Sequence, residues 1–169
     1  MNYFELFDLP VSFLVDKNVL AKKYFALQKK YHPDFFANDS DEEKEDALEK
    51  SSQVNKAFKI FTNSDETIKY VLQQKGLLEE DEKYILPADF LIEMLELNEQ
   101  LTDAKMENDA ASIEKIKAAI LSFDKKIYEP VSKIVENYKE GSSSEKELLQ
   151  VKDYYYKKKY LKRILEGMN

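Results

Sequence analysis

The one histidine of the chain stands in the tripeptide His32-Pro33-Asp34. An imidazole and a carboxylate this close could move a proton, but covalent or acid–base catalysis also needs a nucleophile–base pair, and none is recognisable around a histidine followed by proline. No cysteine is present, which removes thiolate nucleophiles, disulfides and Cys-bound zinc or iron–sulfur ligation. A lone histidine speaks against a His-based metal site. What the tripeptide suits is recognition. Pro33 limits the backbone, so His32 and Asp34 are presented rigidly and docking costs less ordering. Asp34 could accept a charge-assisted, bidentate hydrogen bond from a partner's arginine. Lys22, Lys23, Lys29 and Lys30, on the helix just before, give a positive face that meets an acidic surface and speeds encounter. Without the tripeptide, the same lysines read as an ordinary solvated face.

A second constellation lies between Phe90 and Asp103. At about 100° per residue, Phe90, Met94, Leu97 and Leu101 fall on one arc, the core stripe expected of a bundle helix. Leu91, Ile92 and Leu95 fall on a different arc, with Glu96, Glu99 and Asp103 beside them. Deep burial of that second arc would strand carboxylates away from water, so it reads as an exposed apolar and acidic docking surface. The last helix adds Leu149, Tyr156 and Tyr160 on one side, and tyrosine is a common interface anchor. Lys157, Lys158, Lys159, Lys162 and Arg163 among those tyrosines leave an RNA-binding reading open, with rings as stacking platforms. The net charge of −7 and the acidic neighbouring helix count against it.

The elements that must position these groups are helices. In 169 residues, only 3 Gly and 4 Pro leave few tight turns, which argues against a sandwich or barrel. A short helix spans Asn2 to Asp8. Another, with Asp16 as N-cap, runs to about Tyr31 and carries the stripe Leu20, Tyr24, Leu27 and Tyr31. A third starts near Asp41, with Leu48, Val54, Phe58 and Phe61 expected on its buried side. A fourth covers Ile68 to Gln74. The acidic stretch Glu79 to Glu82, followed by Pro87, is the best domain boundary. Beyond it, helices are expected from about Ala88 to Lys105, from Asp109 to Tyr138 with a kink at Pro130, and from Glu145 to Leu165. Three helices joined by short turns make an antiparallel bundle.

The start of the chain lacks the basic residues and apolar run of a secretory signal. No stretch approaches the roughly 20 apolar residues of a membrane span. The expected setting is the cytoplasm, with no membrane partner.

Tyr3-Phe4-Glu5-Leu6-Phe7, then the Lys-rich helix ending Tyr31-His32-Pro33-Asp34, resemble the J-domain of DnaJ-type co-chaperones. With Phe90-Leu91-Ile92-Glu93-Met94-Leu95-Glu96-Leu97, nearly the whole chain resembles the HscB family, J-type co-chaperones of iron–sulfur cluster assembly. The resemblance implies an all-α, L-shaped molecule: a J-domain over residues 1–76, a linker over 77–87 and a scaffold-binding three-helix bundle over 88–169. It implies an adaptor rather than an enzyme, needing no cofactor and no nucleic acid. An HscA-like DnaK-type chaperone would be recruited and its ATPase stimulated through His32, Pro33, Asp34 and the four lysines. An IscU-like scaffold would dock on Leu91, Ile92, Leu95, Glu96, Glu99, Asp103 and Tyr156. Some positions depart from the family pattern: Asp8 stands where glycine is usual, Phe35 where lysine is common, and Ser64 and Thr67 where proline and arginine are usual. A J-protein whose bundle serves a different client remains the alternative.

Overall fold

A computed structural model gives the fold over residues 1–167, and every regular element among those described residues is helical. Most helix starts are fixed by a side chain that takes up otherwise unsatisfied N–H groups. Asn2 and Glu5 form a capping box at α1 (Tyr3–Leu6). Asp16 accepts from the N–H groups of Asn18 and Val19 at the head of α2 (Lys17–Tyr31). Ser40 and Glu43 form a second box at α3 (Asp41–Thr62), and Ser144 and Glu147 a third at α8 (Glu145–Glu166). Each such cap contributes about 1 kcal/mol. Between them lie α4 (Ser64–Gln74), α5 (Ala88–Met106), α6 (Ala110–Tyr128) and α7 (Ser132–Asn137).

One element differs from expectation, and another breaks where its proline is expected to kink it. The fourth helix begins four residues earlier than Ile68, because the Asn63 carboxamide accepts from Asp65 and Glu66 and starts the helix one residue after α3 ends. The long helix from Asp109 ends at Tyr128, passes through a 3-10 turn at Glu129–Val131 and resumes as α7. Pro130 supplies the reason: it has no N–H to donate, and its ring collides with the preceding turn.

The helices gather into two compact units. The first comprises Met1–Lys75 together with Val135–Ser143. Its core is aromatic. Phe4 meets Phe61 at 4.7 Å and Phe7 meets Phe61 edge-on at 5.6 Å, while Tyr138 covers Phe13 at 4.9 Å. The hairpin of α2 and α3 is held by Tyr24, stacked on Phe58 at 4.0 Å, whose hydroxyl donates to Asn55 Oδ1 at 3.0 Å. Leu48, expected on the buried side of α3, is instead 60% exposed. The buried stripe runs through Ala47, Val54, Ala57 and Phe61, and the residue after Ala47 is turned by about 100° off that stripe. Asp8 takes a left-handed backbone with φ of 51°, a conformation aspartate tolerates better than most residues. The Thr67 hydroxyl, wholly buried, donates to the carbonyl of Ile60 at 2.8 Å.

The second unit comprises Gly76–Ile134 and Ser144 onward, with α5, α6 and α8 as its three long helices. Successive helices run antiparallel, so α5 and α8 point the same way: Phe90 lies 6.1 Å from Tyr160, and Lys105 reaches the carbonyl of Gly167 near the far end of both. Phe90, Met94, Ile120 and Leu161 form the centre of the core, all but dry. Burial of a side chain the size of Met94 or Leu161 contributes about 1.5–3 kcal/mol. This packing decides which face of α5 is left for other work.

Candidate functional site

The corner after α2 is built by Pro33. Proline disfavours helical geometry in the residue before it, and His32 is extended, with φ −62° and ψ 130°. Pro33 then opens a 3-10 turn to Phe36, closed by the Phe35 N–H donating to the His32 carbonyl at 3.1 Å. The Asp34 N–H donates to His32 Nδ1 at 3.2 Å, which orients the imidazole. Asp34 Oδ2 lies 3.6 Å from His32 Nδ1, and the Asp34 side chain is still 89% exposed, so the carboxylate stays within reach of a partner's donor. Phe35 stands edge-on to His32 at 6.2 Å and is itself largely exposed. Lys22, Lys29 and Lys30 are exposed on α2. Lys23 is different: its Nζ pairs with Asp8 Oδ2 at 3.1 Å and reaches the Asp8 carbonyl at 3.2 Å, which ties α2 to the turn after α1.

On α5 the two arcs separate cleanly. Phe90, Met94 and Leu101 are buried and Leu97 is half-buried against the core. Ile92 and Leu95 are each 57% exposed. Glu96, Glu99 and Asp103 are exposed, and Leu91 is half-buried. Leu91 shares a hollow with Tyr156 and Tyr160 of α8. Leu149 does not join them; it lines a different hollow with Phe123, Ile127 and Lys146. Several groups that an RNA-binding surface would need are already engaged. Tyr154 and Tyr155 are buried, Lys157 pairs with Asp153 at 2.8 Å, and Lys158 lies over the Tyr154 ring at 5.8 Å.

The segment before α5, read from sequence as a linker, contributes to this surface. Tyr84 donates its hydroxyl hydrogen to Asp153 Oδ1 at 2.8 Å, and Lys152 meets Glu82 at 2.6 Å. Lys152 and a backbone N–H hold the Glu82 carboxyl below its usual range, while burial first, then Asp153, pushes the Tyr84 hydroxyl well above its own. Burial likewise raises Tyr156, helped by the nearby charges of Glu82 and Glu80. The sequence signal was the run Tyr84-Ile85-Leu86, in which aromatic and aliphatic side chains sit in a stretch otherwise acidic. Among the described residues no His, Cys, Asp or Glu cluster is placed to hold a metal, and no helix is long and apolar enough to cross a membrane.

Both candidate sites are outward surfaces, the form of a protein that brings others together, and the rigid His-Pro-Asp corner on a basic hairpin places this one among the J-type co-chaperones. Residues 86–169 match the family model described as the HSCB C-terminal oligomerisation domain. The chain is 39% identical over 149 residues to the co-chaperone protein HscB of Buchnera aphidicola, covering 80% of this chain and 86% of that protein. Among solved structures, the human co-chaperone HscB superposes with a TM-score of 0.80 at 30% identity, over 99% of this chain and 80% of that one. HscB from Vibrio cholerae superposes at 0.75 with 25% identity, over 99% and 95%. The chain belongs to the HscB family of co-chaperones, which are adaptors rather than enzymes.

Proposed function

We propose that the chain recruits an HscA-like DnaK-type chaperone through His32, Pro33 and Asp34, with Lys22, Lys29 and Lys30 steering the encounter and Lys23 tying α2 to the turn after α1. Through Leu91, Ile92, Leu95, Glu96, Glu99, Asp103 and Tyr156 it holds an IscU-like scaffold, so that the chaperone hydrolyses ATP on a delivered client during iron–sulfur cluster assembly. Residues 1–76 serve the chaperone on this reading, and 88–169 the scaffold. The setting is the cytoplasm, where the chaperone has ATP.

One observation carries the reading: α5 buries Met94 completely while leaving Ile92 and Leu95 more than half exposed beside three carboxylates. A helix that only had to pack would need one apolar stripe. The test is the ATPase rate of the purified HscA-like chaperone with this chain, with and without the IscU-like scaffold. Stimulation by the chain alone, and more in the presence of scaffold, is expected. Equal rates with and without scaffold, together with no saturable scaffold binding, would defeat it.

A further inference from the structure

The apolar stripe of α5 does not stop where the helix begins. Ile85 is 90% exposed, and on a loose segment that would mean little. Here both neighbours are fixed. Tyr84 stacks on Tyr156 and bonds Asp153, and Leu86 is packed against the core of the second unit. With residues 84 and 86 turned inward, Ile85 is held outward, and little conformational freedom is left to lose when something covers it.

Ile85 lines one hollow with Leu91, Tyr156, Lys159 and Arg163. A second hollow shares Tyr160 and Arg163 with the first and continues along the α5–α8 seam past Asn98 and Thr102. The surface therefore has an order of charge. Its apolar middle is Ile85, Leu91, Ile92 and Leu95. One edge carries Glu96, Glu99 and Asp103. The other carries Lys159 and Arg163, both exposed and neither in an ion pair with a described residue.

We infer that Ile85 is an additional apolar anchor of the scaffold-docking surface, and that Lys159 and Arg163 form a cationic edge seating a carboxylate of the same partner. The inference rests on the scaffold reading given above. It specifies what the partner must present: an apolar segment bordered by basic groups on one side, to meet the α5 carboxylates, and by an acidic group on the other. Charges arranged in that order fix the register of docking, because a reversed pose would set like charges against each other.

The experiment is a calorimetric titration of the purified IscU-like scaffold into the full-length chain and four variants: Ile85→Ser, Ile85→Leu, Arg163→Glu and Leu95→Ser. Ile85→Ser is expected to raise Kd about five- to tenfold, the range of a buried anchor, with Ile85→Leu close to wild type. Arg163→Glu should raise Kd about tenfold at low salt and less at high salt, where the charge is screened. Thermal melts of the Ile85 and Arg163 variants should match wild type, since both side chains are exposed. If Leu95→Ser weakens binding while either Ile85→Ser or Arg163→Glu binds as wild type does, the inference is overturned and the scaffold reading survives. If the wild-type chain shows no saturable binding, both fall.

Discussion

The ring of Tyr84 lies flat on the ring of Tyr156, with centroids 4.4 Å apart and planes within 9°. The pair joins the segment before α5 to the middle of α8, and both rings border the hollow that contains Leu91. An aromatic pair of this geometry contributes about 1 kcal/mol beyond its buried area, and the hydrogen bond from Tyr84 to Asp153 about as much again.

Tyr84→Ala should therefore lower the stability of the chain by about 2 kcal/mol or somewhat more, and Tyr84→Phe by about half that. Urea unfolding of the three proteins checks the ranking. Equal stabilities for Tyr84→Ala and wild type would show that the stacked pair holds nothing in place.

His32→Gln and Asp34→Asn should each reduce chaperone ATPase stimulation at least about tenfold, the cost of losing one member of a charged hydrogen-bonded contact. Stability should stay within about 0.5 kcal/mol, as for other exposed positions. Steady-state ATPase rates and a thermal melt measure both quantities. A variant that stimulates normally would remove the corner from the contact.

Leu95→Ser and Met94→Ala are neighbours in sequence with opposite expected effects. Leu95→Ser should weaken scaffold binding and leave stability almost unchanged. Met94→Ala should cost about 2–5 kcal/mol of stability through the cavity it leaves. Titration and denaturation on the same two proteins separate docking from packing; a large loss of stability in Leu95→Ser would place that side chain in the core.

The Glu82–Lys152 pair sets a pH dependence with a definite sign. Lys152 holds the folded-state pKa of Glu82 below its ordinary 4.5, so the pair stabilises the fold at neutral pH and above that value. The contribution fades as pH falls from 4.5 towards the lowered folded value, where the carboxylate is protonated in both states. Wild type should therefore exceed Glu82→Gln in stability by a constant margin at neutral pH, and the margin should vanish in stronger acid. Unfolding curves across that range test it; a margin that grows on acidification would reverse the assignment.

What the sequence disclosed was local. Asp16 stands where α2 needs an acceptor for its first N–H groups, and a cap is decided within four residues. The division of α5 into a buried arc through Met94 and an open arc through Leu95 follows from the helical period alone. What escaped depended on partners distant in the chain. Leu48 is a different case: it has the right hydrophobicity for the core of α3, but Ala47, seven residues before Val54, lies on the buried stripe and Leu48 is turned off it. The strap at Tyr84 looked like a linker because its partners, Asp153 and Tyr156, lie some seventy residues later. Asn63 ends α3 through its backbone N–H, which donates to the Ile60 carbonyl, and starts α4 through its carboxamide oxygen, so one residue serves both helices.

Tyr138 shields Phe13, which is wholly buried, although 125 residues of chain separate them. The polypeptide thus leaves its first unit and later comes back to finish it. Excising the amino-terminal portion at residue 76, as one would to obtain a minimal chaperone-activating fragment, would discard that shield and bare an aromatic ring to water. The truncated piece would be stickier than its parent for a reason unrelated to either docking surface, and supplying residues 135–143 on a short tether would restore it.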